Sequence, residues 1–130
     1  MNGLDTNILI DYLEGKAYVG EFIQSHASEP LFAPTPALHE TVIGAVRTRG
    51  DDGLEQARSD LGWVEPVSLT VDGAAEAARI DSELHSAGEP IGPLDTLIAG
   101  VVREAGGTVV TRDEHFERVD DLDVALIGSR

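Results

Sequence analysis

Asp5, Asp95 and Asp113 stand in this 130-residue chain where an α/β protein could put carboxylates to chemical use. Asp5 ends the short run Leu4-Asp5-Thr6-Asn7, Asp95 opens a helical stretch in Pro93-Leu94-Asp95-Thr96-Leu97-Ile98, and Asp113 follows Val109-Val110-Thr111-Arg112. The carboxyl ends of strands and the starts of the following helices are where parallel sheets place their sites. Each aspartate also has an ordinary role open to it: Asp5 as a helix N-cap, Asp95 as an acid on the helix dipole, Asp113 as a turn residue. Glu40 has the weakest claim, because a helical wheel sets it away from Leu38 and Val42 on the side of Arg47, as a solvated glutamate. Several competing chemistries are absent. The chain has no cysteine, which excludes thiolate zinc sites, cysteine nucleophiles and disulfides. Gly15-Lys16 is followed by Ala17, and Ile10 stands where a phosphate-binding loop needs its first glycine. His39-Glu40-Thr41-Val42-Ile43 lacks the second histidine of a zinc-protease helix, and no serine lies in a Gly-x-Ser-x-Gly turn. His26, His39, His85 and His115 have no ligand-like spacing and read as surface or partner-satisfied residues.

The elements around these residues alternate. A very short strand ending at Leu4 and Asp5 precedes a helix over 7–14, in which Ile8, Leu9, Tyr12 and Leu13 recur at helical spacing and Gly15 is the stop. A second helix spans 17–27 with Val19, Phe22 and Ile23 inward, followed by a buried-strand candidate at Leu31-Phe32-Ala33. The pattern predicts a helix over 35–49 with Leu38, Val42, Ala45 and Val46 on one stripe and Pro36 in its first turn, closed by Gly50. A short helix over 51–60 and a strand at Trp63-Val64-Glu65-Pro66-Val67 come next, the proline suiting a sheet edge. Helices over 71–87 and 93–105, a strand at Thr108-Val109-Val110-Thr111 and a last strand over 123–127 complete the chain. Strands alternating with helices predict an α/β domain with a mostly parallel sheet.

With 42% apolar residues and no linker-like stretch, residues 1–130 read as one domain, which at this length buries roughly two-thirds of its unfolded surface. Asp and Glu total 24 against 9 Lys and Arg, a formal net charge of −15. Such a surface repels polyanions at ordinary ionic strength, since phosphate contacts supply most nonspecific affinity. Lys16 is the only lysine, and abundant carboxylate with almost no lysine resembles the composition of salt-in halophiles. At about 1 M salt the Debye length falls to roughly 3 Å, so a negatively charged substrate stays possible. The apolar runs are only a few residues long and no signal-like segment opens the chain, so a cytoplasmic protein with no membrane partner is expected.

Taken together, the motifs resemble the PIN-domain family, most closely its VapC-type toxin ribonucleases. Leu4-Asp5-Thr6-Asn7-Ile8-Leu9-Ile10-Asp11 is similar to the family's first-strand motif, and Thr35-Pro36-Ala37-Leu38-His39-Glu40 to the helix carrying its next acid. Pro93-Leu94-Asp95-Thr96-Leu97-Ile98-Ala99 and Thr111-Arg112-Asp113-Glu114-His115-Phe116 are similar to the third and fourth. The resemblance implies a three-layer α/β/α fold in which Asp5, Glu40, Asp95 and Asp113 converge to hold Mg²⁺ or Mn²⁺, the cation making four neighbouring carboxylates tolerable. It implies a ribonuclease that hydrolyses phosphodiesters with a metal-activated water, Asn7 and Thr111 orienting carboxylates or water. By the same resemblance the chain is the toxin of a toxin–antitoxin pair, partnered by a VapB-like antitoxin and homodimeric, with RNA as substrate. Arg112 beside the site could touch a substrate phosphate, but reads first as a surface arginine. The chain departs from the family in having Asn2 and Gly3 where apolar residues are usual, and Thr41 where an aliphatic residue often follows the glutamate.

Other readings are open. A haloacid-dehalogenase-type phosphatase would use Asp5 as nucleophile, but Asn7 occupies the place of its second aspartate and no lysine follows Lys16. A PIN scaffold that binds without cutting, or an RNA-processing nuclease outside a toxin–antitoxin pair, would share the fold.

Overall fold

The computed structural model describes residues 1–128. In order, the elements are β1 (Asn2–Leu4), α1 (Thr6–Leu13), α2 (Ala17–Ser25), β2 (Leu31–Pro34), α3 (Thr35–Asp60), β3 (Glu65–Val67), α4 (Val71–Ser86), α5 (Pro93–Glu104), β4 (Thr108–Thr111), a 3-10 turn (Glu114–Arg118) and β5 (Asp123–Leu126). The five strands form one sheet in the order β3-β2-β1-β4-β5, and every pairing is parallel. An all-parallel sheet is stable only when helices cover both faces, and the strands read accordingly: Val109, Val110 and Thr111 are buried in succession on β4. The result is the expected three-layer α/β/α architecture. The pattern of alternating elements is thus realised, with β3 and its Pro66 at one sheet edge.

Leu4, Phe32, Val109 and Val110 form the core with Ile8 and Leu9 of α1 and Ile98 and Val102 of α5. Each such side chain contributes about 1.5–3 kcal/mol by leaving water. Gly3 follows from this packing. A Cβ there would lie 2.7 Å from Val102 Cγ2 and 2.8 Å from Phe32 Cζ, so an apolar side chain has no room. Asn2, buried beside it, donates its amide to Glu29 Oε1 at 3.3 Å.

Two features of α3 differ in detail from the sequence pattern. Its two expected helices form one run broken at Gly50, whose φ of 62° and ψ of −145° suit glycine alone. The stripe expected to face inward is also misplaced. Pro36, Ala37 and Thr41 are the buried residues of the first arm, whereas Val46 is 40% exposed. Small side chains let this face pack closely, and the Thr41 hydroxyl is satisfied by Ala37 O at 2.7 Å. Leu38 and Val42 instead line an apolar groove of about 400 Å³ with Leu54, Leu61 and Pro66. Among the described residues no helix is long and apolar enough to cross a membrane.

Candidate active site

Asp5 occupies the junction of β1 and α1. Its backbone is extended, and Oδ1 accepts from Thr6 N at 2.8 Å, capping the helix. Its own amide donates to Val110 O at 3.0 Å, so β1–β4 pairing sets the carboxylate's position. Oδ2 accepts from the Thr111 hydroxyl at 2.7 Å. A hydroxyl has one proton to give and two lone pairs to offer, and Thr111 uses all three. It also accepts from Asp113 N at 2.9 Å and from Asn7 Nδ2 at 3.4 Å. Asn7 Oδ1 in turn accepts from Arg112 N at 3.3 Å. Asn7 and Thr111 therefore tie the start of α1 to the end of β4.

Asp113 caps the 3-10 turn, its Oδ1 accepting from His115 N at 2.9 Å with the imidazole Nδ1 at 3.2 Å. Asp95 lies in the first turn of α5. Glu40 projects from α3 next to the buried Ala37 and Thr41, so it lies on the inner side of the helix and not, as the wheel suggests, on its solvated side. Asp5, Glu40, Asp95 and Asp113 all line one cavity of about 260 Å³, together with Thr6, Asn7 and Ile10.

The crowding is visible in the proton affinities of Asp5 and Asp95. Burial pushes the Asp5 carboxyl up to about 6; the Thr111 and Thr6 hydrogen bonds oppose this, and the charges of Asp95 and Asp113 add to it. Asp95 is raised by burial and then by Asp113 and Glu40, with His115 acting the other way. Crowded carboxylates whose protons are held more tightly are a ready site for a cation, which would relieve the repulsion. Among the described residues no three acidic or histidine side chains close on one point as a preformed cage. The donor set is nonetheless suited to a hard, hydrated ion, since Mg²⁺ keeps several waters and needs only one or two carboxylates. Transition-metal sites built on nitrogen or sulfur have no counterpart here.

Two residues that the sequence did not single out belong to this region. Asp11 is 2% exposed, with Lys16 Nζ at 3.2 Å, Arg112 Nε at 2.8 Å and the Tyr18 hydroxyl bonded to Oδ2. Burial raises its proton affinity, but Tyr18, Lys16 and Arg112 outweigh it and hold the carboxyl below its usual range. Arg112 is correspondingly not a free surface arginine. Its Nε lies close to Asp11 without pointing a proton along a hydrogen bond, so the contact is an ion pair. An acid set between the apolar runs Ile8-Leu9-Ile10 and Tyr12-Leu13 was the available signal. Thr6 is the other, its hydroxyl buried without a partner among the described residues.

Comparison with known proteins agrees with this geometry. The PIN domain family model matches residues 4–122. The chain is 30% identical to the tRNA(fMet)-specific endonuclease VapC of Shigella flexneri over 122 residues, 92% of each chain. It is 27% identical to the Salmonella typhimurium protein of the same description over the same share of each. Among solved structures, the fold is similar to VapBC2 from Rickettsia felis bound to a promoter DNA fragment, with a TM-score of 0.89 at 19% identity over 98% of both chains. DNA-bound VapBC from Salmonella typhimurium gives 0.85 at 24% identity, covering 95% of this chain and 96% of that one. A family match over nearly the whole length, placed on four carboxylates around one cavity, makes the chain a member of the PIN-domain family, of the VapC type.

Proposed function

We propose that this protein is an Mg²⁺- or Mn²⁺-dependent endoribonuclease and the toxin of a VapBC-like toxin–antitoxin pair. The observation that carries this reading is the meeting of Asp5, Glu40, Asp95 and Asp113, up to 108 positions apart (113 minus 5), at a single cavity. Those four carboxylates would hold the cation. When bound, it supplies charge for the phosphate and lowers the pKa of a coordinated water. Asp5 is held in one orientation by Thr6 N and Thr111 Oγ1, and Asn7 keeps the Asp113 turn in register with α1. The sequence relatives are described as tRNA(fMet)-specific endonucleases, which makes transfer RNA the first substrate to try. A VapB-like antitoxin as partner is supported by the toxin–antitoxin complexes among the similar structures. Homodimerisation and a cytoplasmic location complete the proposal.

The test is cleavage of total RNA by the purified protein in molar KCl. Discrete products with Mg²⁺ or Mn²⁺ that vanish with EDTA, and in Asp5→Asn and Asp95→Asn, are expected. Products that persist in EDTA or in both variants would overturn the metal-dependent reading, and no product at all from the wild type would favour a binding scaffold.

A further inference from the structure

The lining of the acidic cavity is unbalanced in hydrogen-bonding terms. Asp5, Glu40, Asp95 and Asp113 are acceptors when ionised, and Ile10 is apolar. Asn7 is engaged through its amide with Thr111 and through its oxygen with Arg112 N. Thr6 is different. It is the first residue of α1, only 7% exposed, and its hydroxyl oxygen is buried with no partner among the described residues. A buried hydroxyl left unpaired is costly, so in a native structure it calls for an explanation. The Asp5 cap does not provide one: Thr6's own amide donates to Asp5 Oδ1, and its hydroxyl takes no part in that bond.

Resting on the nuclease reading above, we infer that the Thr6 hydroxyl is a substrate-binding group, donating its hydrogen bond to a non-bridging oxygen of the RNA phosphodiester held in the cavity. A phosphodiester brings acceptor oxygens to a site whose own ionised side chains are also acceptors, so it needs a proton donor as well as a cation. Thr6 is the uncommitted side-chain donor in that lining. The oxygen is closed off from solvent in this conformer. Threonine in a helix divides between two χ1 wells, and a step between them carries the hydroxyl to a different staggered position without moving the backbone. The helix start, and the Asp5 cap upon it, can therefore stay in place while the donor turns to the substrate.

Thr6→Val keeps the side chain's shape and removes only the donor, and Thr6→Ser keeps the donor. Three measurements on the full-length protein separate the outcomes: Mn²⁺ affinity by calorimetry without RNA, thermal midpoint in EDTA, and kcat/KM on bulk transfer RNA. Thr6→Val is expected to bind Mn²⁺ within about twofold of wild type and to melt no lower, since an unsatisfied hydroxyl has gone. Its kcat/KM should fall about 10- to 100-fold, the value of a hydrogen bond to a charged group, while Thr6→Ser stays within about threefold of wild type. Unchanged cleavage by Thr6→Val overturns the inference. So does a loss of Mn²⁺ affinity that matches the loss of activity, which would assign the hydroxyl to the cation. A wild type that binds Mn²⁺ but cuts no RNA overturns the nuclease reading instead, and this inference with it.

Discussion

The four carboxylates are held together against their mutual repulsion, and the cost falls on the free protein. Burial first, and then the charges of Asp95 and Asp113, push the Asp5 carboxyl up to about 6 from the ordinary 3.8, at a residue only 4% exposed. An acid whose folded pKa is raised binds its proton more tightly in the native state. Its contribution to stability is then fully present below pH 3.8 and is lost as pH rises through about 6. The difference amounts to about 3 kcal/mol. Asp95 shifts in the same direction. In EDTA the thermal midpoint should therefore decline between pH 4 and about 7 more than a chain with ordinary carboxylates would, and Asp95→Asn should flatten the decline. A flat wild-type profile in that window would show that neither burial nor the neighbouring charges raise these carboxyls. Asp5, Asp95 and Asp113 were legible in the sequence because strand ends and helix starts can be read locally. Glu40 was not. Its wheel was oriented by Leu38 and Val42, whereas the packed face uses Ala37 and Thr41, residues whose small size carries little hydrophobic signal.

At the level of elements, one buried carboxylate joins four pieces of chain. Asp11 of α1 meets Lys16 before α2, Tyr18 on α2 and Arg112 after β4. The contact fixes the far side of the segment whose near side bears Thr111 and Asp113. Losing Asp11 leaves Arg112 without a counter-charge in a partly buried position, whereas losing Arg112 leaves Asp11 with two partners. Asp11→Leu should accordingly lower stability by about 1–3 kcal/mol and Arg112→Met by roughly 1 kcal/mol or less, read as urea midpoints at constant m-value. The reverse order would mean that Lys16 and Tyr18 do not satisfy Asp11. No local pattern announces this pairing, since its partners lie 101 positions apart (112 minus 11) and meet only because β4 lies beside β1. The alternation of strands and helices was readable from end to end, including the edge placement of the proline-bearing strand. The inward face of α3 was not, for a related reason. Its apolar stripe lines an open groove, and an apolar stripe reports on burial without naming what does the burying.

For the molecule as a whole, the net charge of −15 acts on every element at once. Self-repulsion of this kind weakens a compact state and is screened by salt. The thermal midpoint of the cation-free protein should rise steadily between about 0.1 and 2 M KCl, most at neutral pH where the carboxylates are ionised. No rise would sever the acidic composition from any adaptation to salt. The sheet carries a different consequence, one of timing. Of the five strands β1 is made first, yet its partner on the site side is β4, and the Thr111 hydroxyl that orients Asp5 lies 106 residues further on. Asp113 comes later still. A nascent chain that stops before β4 holds Asp5, Glu40 and Asp95 on separate elements and lacks the strand that sets Asp5 in place. Long-range parallel pairing is slow to form, and here it is also the step that assembles the cluster. A truncated or stalled copy therefore lacks the assembled cluster, and all four carboxylates face one another only once β4 and the turn after it have been made.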